Sequence, residues 1–102
     1  MKIIEKLSTM VGDELDDAQK YIENALEYKE SNRQLANMFY DLSAQEMNHM
    51  NMLHNETVRL IDEYKQNNGE PPKEMLAVYE YLHNKFVDHA AKIKVMQNMY
   101  KS

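Results

Sequence analysis

The chain reads as an all-α protein, a single helical domain over residues 1–102, and three observations predict it. Apolar residues recur in steps of three and four along three long stretches, the spacing of one helix face. No stretch alternates with period two for long enough to form a strand. Glycine and proline, the residues that interrupt helices, number only two each, and they cluster mostly in one short break.

The first helix is expected over about residues 2–30, with a stripe of Leu7, Val11, Glu14, Ala18, Tyr21, Ala25 and Tyr28. Asp13, Asp16 and Asp17 fall mostly off that stripe and read as a solvated acidic face, with an approach path for cations as the alternative. Glu30-Ser31-Asn32-Arg33 breaks the helix, and Ser31 or Asn32 can cap the next one. The second helix is expected over about residues 33–66, and so short a link folds the two into an antiparallel hairpin over about residues 2–66. Its stripe is Leu35, Phe39, Leu42, Glu46, His49, Leu53, Thr57 and Leu60. Gln66-Asn67-Asn68-Gly69-Glu70-Pro71-Pro72 is the second break, and its prolines are tolerated at the first turn of a new helix. That third long helix is expected over about residues 72–101, on a stripe from Met75 and Tyr79 through Phe86, His89 and Ile93 to Tyr100.

Composition excludes several functions. The absence of cysteine rules out disulfides, a thiolate zinc site and a cysteine nucleophile. A net charge of -5 argues against a nucleic-acid surface and mildly favours gathering cations. No apolar run reaches membrane-spanning length, and Met1-Lys2-Ile3-Ile4-Glu5-Lys6 lacks a signal-peptide apolar region, so the expected compartment is the cytoplasm.

Two stripes carry residues that do not belong in a core. Glu46 and His49 continue the apolar steps 42, 46, 49, 53, and Glu14 does the same on the first helix. Burying such groups bare is costly, and a metal ion would offset that cost. Glu14 lies 17 residues before Ser31 and Glu46 lies 15 after it. At about 1.5 Å of rise per residue, the two carboxylates differ in height by only about 3 Å across the hairpin. Two such carboxylates repel and desolvate each other unless protonated or bridged by cations.

Glu14, with Tyr21 seven residues on, followed by Glu46-x-x-His49, resembles one half of a ferritin-like di-iron protein. The first two helices of the rubrerythrin group and the two-helix encapsulated ferritins carry the same series. The resemblance covers about residues 5–65. It implies Glu14 as a metal ligand, Glu46 as a bridging carboxylate, His49 as a terminal nitrogen ligand and Tyr21 as a hydrogen-bonding neighbour of the carboxylates. It implies iron in pairs, or manganese, and oxidation of Fe(II) or consumption of O2 or peroxide. A full ferritin-like chain has four helices and two such sets, whereas this one has three helices and one well-placed set. The expectation is therefore a homodimer, or a multiple of it, whose two hairpins complete a four-helix bundle and double the ligands. The competing expectation is a non-enzymatic helical interaction module that keeps the hairpin only to oligomerise.

The third helix holds a second pair, Glu80-x-x-His83. Reflection through the turn near Gly69 sets it opposite Glu56 to Arg59, about 15 Å from Glu46, whereas His89 falls at the level of Glu46 and His49. Met47, Met50, Met52 and His54 raise a copper alternative, since thioether and imidazole suit Cu(I). Methionine is also a common filler of helix interfaces.

Overall fold

A computed structural model describes residues 2–102 as three helices, with no strand among those residues. Helix α1 spans Lys2–Tyr28, α2 Arg33–Asn68 and α3 Lys73–Lys101. Asn32, rather than Ser31, caps α2: its side-chain oxygen accepts the Leu35 N–H at 3.2 Å. At the far end Gly69 takes φ 77°, a conformation costly for any other residue, and its N–H returns to the Lys65 carbonyl. α2 thus runs slightly past its expected end, to 36 residues. At about 1.5 Å per residue it is about 54 Å long, which accounts for the 55 × 19 × 18 Å dimensions of the molecule. Among the described residues, no helix is long and apolar enough to cross a membrane.

The hairpin closes on small residues. Ala18 and Ala25 of α1 and Ala36 and Ser43 of α2 are all fully buried, which lets the two backbones approach. A buried hydroxyl in that seam needs a partner, and Ser43 Oγ donates to the Ala18 carbonyl at 2.8 Å. The same oxygen accepts the Gln97 side-chain amide of α3 at 3.0 Å, so one serine ties all three helices together.

The buried row of α1 is a strict heptad pattern, Ile4, Ser8, Val11, Leu15, Ala18, Ile22 and Ala25. It shares Val11, Ala18 and Ala25 with the stripe expected from sequence, but Leu7, Glu14, Tyr21 and Tyr28 are only half-buried. The reason is α3. It packs chiefly on α1, where Phe86 meets Gly12 and His89 hydrogen-bonds Gln19, and it touches α2 only sparsely. Gln19 and Glu14 are five residues apart, about 140° around the helix. The third helix therefore covers one flank of the hairpin seam, and Glu14, Tyr21, Phe39, Glu46 and His49 occupy the other. The carboxyl-terminal end of α3 is pinned by a hydrogen bond from the Tyr100 hydroxyl to Asn37 Oδ1 and by a stack of Tyr100 on Tyr40 at 5.1 Å.

Ser43→Ala is expected to cost about 1 kcal/mol, the worth of a buried hydrogen bond. Ser43→Leu is expected to cost about 1–3 kcal/mol, by wedging the two backbones apart. Urea unfolding of the two variants against wild type measures both.

Candidate functional site

The register set by the Ser43–Ala18 bond decides what lies above it on the open flank. Counting back four residues on α1 and forward three on α2 brings Glu14 and Glu46 to one level, as their heights in the sequence predict. His49, one turn beyond Glu46 on the same face of α2, completes the group. One ligand-type atom from each of Glu14, Glu46 and His49 lies within 4.8 Å of the other two. His49 Nδ1 faces both carboxylates, 3.7 Å from Glu14 Oε2 and 3.8 Å from Glu46 Oε2.

Burial within the group is graded. The Glu46 and Glu14 side chains are 18% and 25% exposed, whereas His49 is 54% exposed and stands at the solvent edge. Glu14 Oε2 is itself buried and accepts no hydrogen bond. An unpartnered carboxylate oxygen out of water is unfavourable by about 1–3 kcal/mol or more. Farther along the same flank the face is aromatic: Tyr21 and Tyr28 each stack on Phe39, at 6.4 and 6.3 Å. Tyr21 is placed by that stack, and its hydroxyl makes no hydrogen bond to Glu14 or Glu46 among the described residues.

The donor set fits a divalent cation. Two carboxylates and an imidazole are hard-to-borderline ligands, and their two negative charges match the charge of the ion. Ligands on opposite sides of an ion at about 2.1 Å are about 4.2 Å apart, so small side-chain rotations close the 4.8 Å group onto one ion. Three protein ligands leave positions open for a small molecule or for groups from another chain.

The other histidines lie elsewhere. His89 is at the expected level but on the α3 side of the seam, where it hydrogen-bonds Gln19. Its level was readable from helix rise, and its facing was not. Glu80 is exposed, and His83 stacks on His54 at 5.2 Å, so the second Glu-x-x-His pair takes no part in the group. Burial, and then the neighbouring His83, lower the pKa of His54. Met47 and Met50 pack against the hydrophobic core, and Met52 is 70% exposed, so the methionines of α2 do not form one cluster. Ser43, with its partner Gln97, is a polar residue that the helix stripes did not single out. A small hydroxyl residue amid Leu42, Ala44 and Met47 signals a close helix crossing.

Comparison with protein-family models, with curated proteins and with solved structures finds no match. The functional reading therefore rests on the residues and their geometry.

Removing the stranded charge tests that geometry. With chelator present, Glu14→Gln is expected to be at least as stable as wild type, by up to about 1 kcal/mol. The measurement is thermal or urea unfolding of both proteins. A marked loss of stability would identify Glu14 as a structural hydrogen-bonding residue instead.

Proposed function

We propose that this chain is a ferritin-like half-bundle that binds divalent iron or manganese through Glu14, Glu46 and His49. Two chains pair their hairpins so that the ligand set is doubled in a four-helix bundle. The observation that carries the reading is Glu14 Oε2, buried, without a hydrogen-bond partner, and turned toward a second carboxylate and an imidazole. A cation is the simplest partner for such an atom, and the chemistry of all three side chains suits one.

Pairing is supported by the flank itself. On the side away from α3, Leu7, Tyr21, Leu35, Phe39, Leu42 and Leu53 lie along the same face of the hairpin as the three ligands and are only half-buried. A face of this kind is the surface a second hairpin covers in a four-helix bundle. The face carries its own copy of the half-site, so a twofold axis through it doubles the ligands without any further residue.

In this reading Glu14 and Glu46 balance the charge of the ion and hold it against the apolar seam. His49 completes the set from the solvent edge. Bound in pairs, iron would supply redox chemistry toward Fe(II) as substrate, O2 or peroxide. The acidic residues Asp13, Asp16 and Asp17, exposed within one turn of Glu14, raise the local cation concentration.

Fe(II) or Mn(II), added without oxygen, is expected to raise the melting temperature of the wild type. The gain is about 2.7 kcal/mol at a hundredfold excess over the dissociation constant. Glu46→Ala and His49→Ala abolish the effect, and Glu80→Ala and His83→Ala leave it intact. Sedimentation of the wild type at micromolar concentration gives a dimer or a multiple of it. A compact monomer removes the shared site. An oligomer that takes up no metal after Fe(II) loading makes the chain a helical interaction module.

A further inference from the structure

On the other side of α2 a second group of ligand-type side chains meets in a different setting. His54 of α2 and His83 of α3 stack with ring centroids 5.2 Å apart and planes 21° apart, and Tyr79 continues the stack at 5.9 Å. Both imidazoles line a cavity of about 170 Å³ between α1, α2 and the first half of α3. Met50, one turn before His54 on the same face of α2, lines it too. The remaining wall is Val11, Leu82, Phe86, Val87 and Ala90, with Ser8, Asn51 and Thr57 as uncharged polar residues. No carboxylate, lysine or arginine lines the cavity.

The four histidines of the chain differ in how they are engaged. His49 faces two carboxylates and His89 hydrogen-bonds Gln19. His54 and His83 hold no hydrogen bond to any other side chain or to the backbone among the described residues, so their ring nitrogens are uncommitted.

We propose that His54, His83 and Met50 form a second metal site, specific for Cu(I). Two imidazoles and a thioether are a soft donor set, the kind that selects Cu(I) over hard divalent ions. Charge gives the same selection. The cost of moving an ion from water into a low-dielectric cavity grows with the square of its charge, and here no carboxylate compensates a second positive charge. A monovalent ion is therefore favoured, in contrast to the doubly acidic group on the opposite flank. His49 and His54 are five residues apart on α2, about 140° around the helix, so the two sites do not share a ligand. Sequence grouped Met47, Met50, Met52 and His54 along one helix; the fold drops Met47 and Met52 and supplies His83 from α3 instead. The ion bridges α2 and α3, which pack on each other only sparsely, so its binding also fastens the first half of α3 to the hairpin.

The test is an anaerobic titration of the full chain with Cu(I) under a reductant, in competition with bicinchoninate, followed by thermal unfolding. One tight Cu(I) per chain and a raised melting temperature are expected. His54→Ala and His83→Ala each weaken binding by at least about a hundredfold, the upper end of what losing a supporting hydrogen bond costs a metal site. Met50→Leu keeps the volume and weakens binding by about tenfold. Glu14→Gln leaves Cu(I) binding unchanged while Fe(II) binding falls, and His83→Ala does the reverse, so failure of either site is seen separately. Unchanged Cu(I) affinity in both histidine variants overturns the proposal, as does Zn(II) displacing Cu(I) from the same residues. If the variants do not fold, NMR of the wild-type imidazoles decides. Cu(I) must shift the His54 and His83 signals and leave His49 and His89 in place, and the opposite pattern overturns the site.

Discussion

Everything placed in this molecule depends on how closely α1 and α2 approach and at what register. The approach comes from Ala18, Ala25, Ala36 and Ser43, and the register from the Ser43 hydroxyl on the Ala18 carbonyl. A slip of one turn would move the helices by about 5.4 Å along each other. It would strand the serine hydroxyl in an apolar seam and part Glu14 from Glu46. The polar bond that specifies the fold and the meeting of the two carboxylates are thus one constraint. Gln97 extends that constraint to α3, whose buried residues Ile93 and Tyr100 both lie in its second half.

Much of this was legible in the residues. Asn32 and Gly69 stand at the helix ends because one offers a side-chain acceptor and the other tolerates a positive φ. The common level of Glu14 and Glu46 follows from helix rise alone, since a short link leaves little freedom in how a hairpin closes. The level of His89 followed in the same way. Rotation about the helix axis was what sequence left open. Adjacent rows of α1, Ile4-Val11-Ala18-Ala25 and Leu7-Glu14-Tyr21-Tyr28, are both rich in apolar or aromatic residues, and they differ by a few tens of degrees in facing. Only the position of α3 settles which row is sealed and which is left as a flank. Pairings that need a third element, Ser43 with Gln97 and His54 with His83, lay beyond single-helix periodicity for the same reason.

The two flanks of α2 offer opposite chemistry on one rigid element. One presents carboxylates and an exposed imidazole beside open solvent, and the other presents uncommitted imidazoles and a thioether within an apolar cavity. A helix can do this because residues five apart point about 140° away from each other while remaining within about 8 Å along the axis. Ligand charge and dielectric then separate the ions each side can accept, with no need for distance between them.

The open flank also constrains the geometry of the proposed pair. A twofold axis makes the contact isologous, so each residue on the face meets a residue of the same face. If the axis crosses the hairpin near the level of Glu14 and Glu46, the two half-sites merge, and their stranded carboxylates gather about one point. Four carboxylates so placed repel strongly when no cation is bound, and assembly without metal is then opposed in proportion to how fully the face is dried. If the axis crosses nearer Phe39 and the Tyr21–Tyr28 stack, the aromatic surface is buried and each half-site keeps its own open position. The first geometry couples dimer formation to metal, and the second leaves them independent. The dimer dissociation constant with and without Mn(II) therefore reports where the axis passes, and an aromatic-centred dimer is expected to show no dependence on the ion.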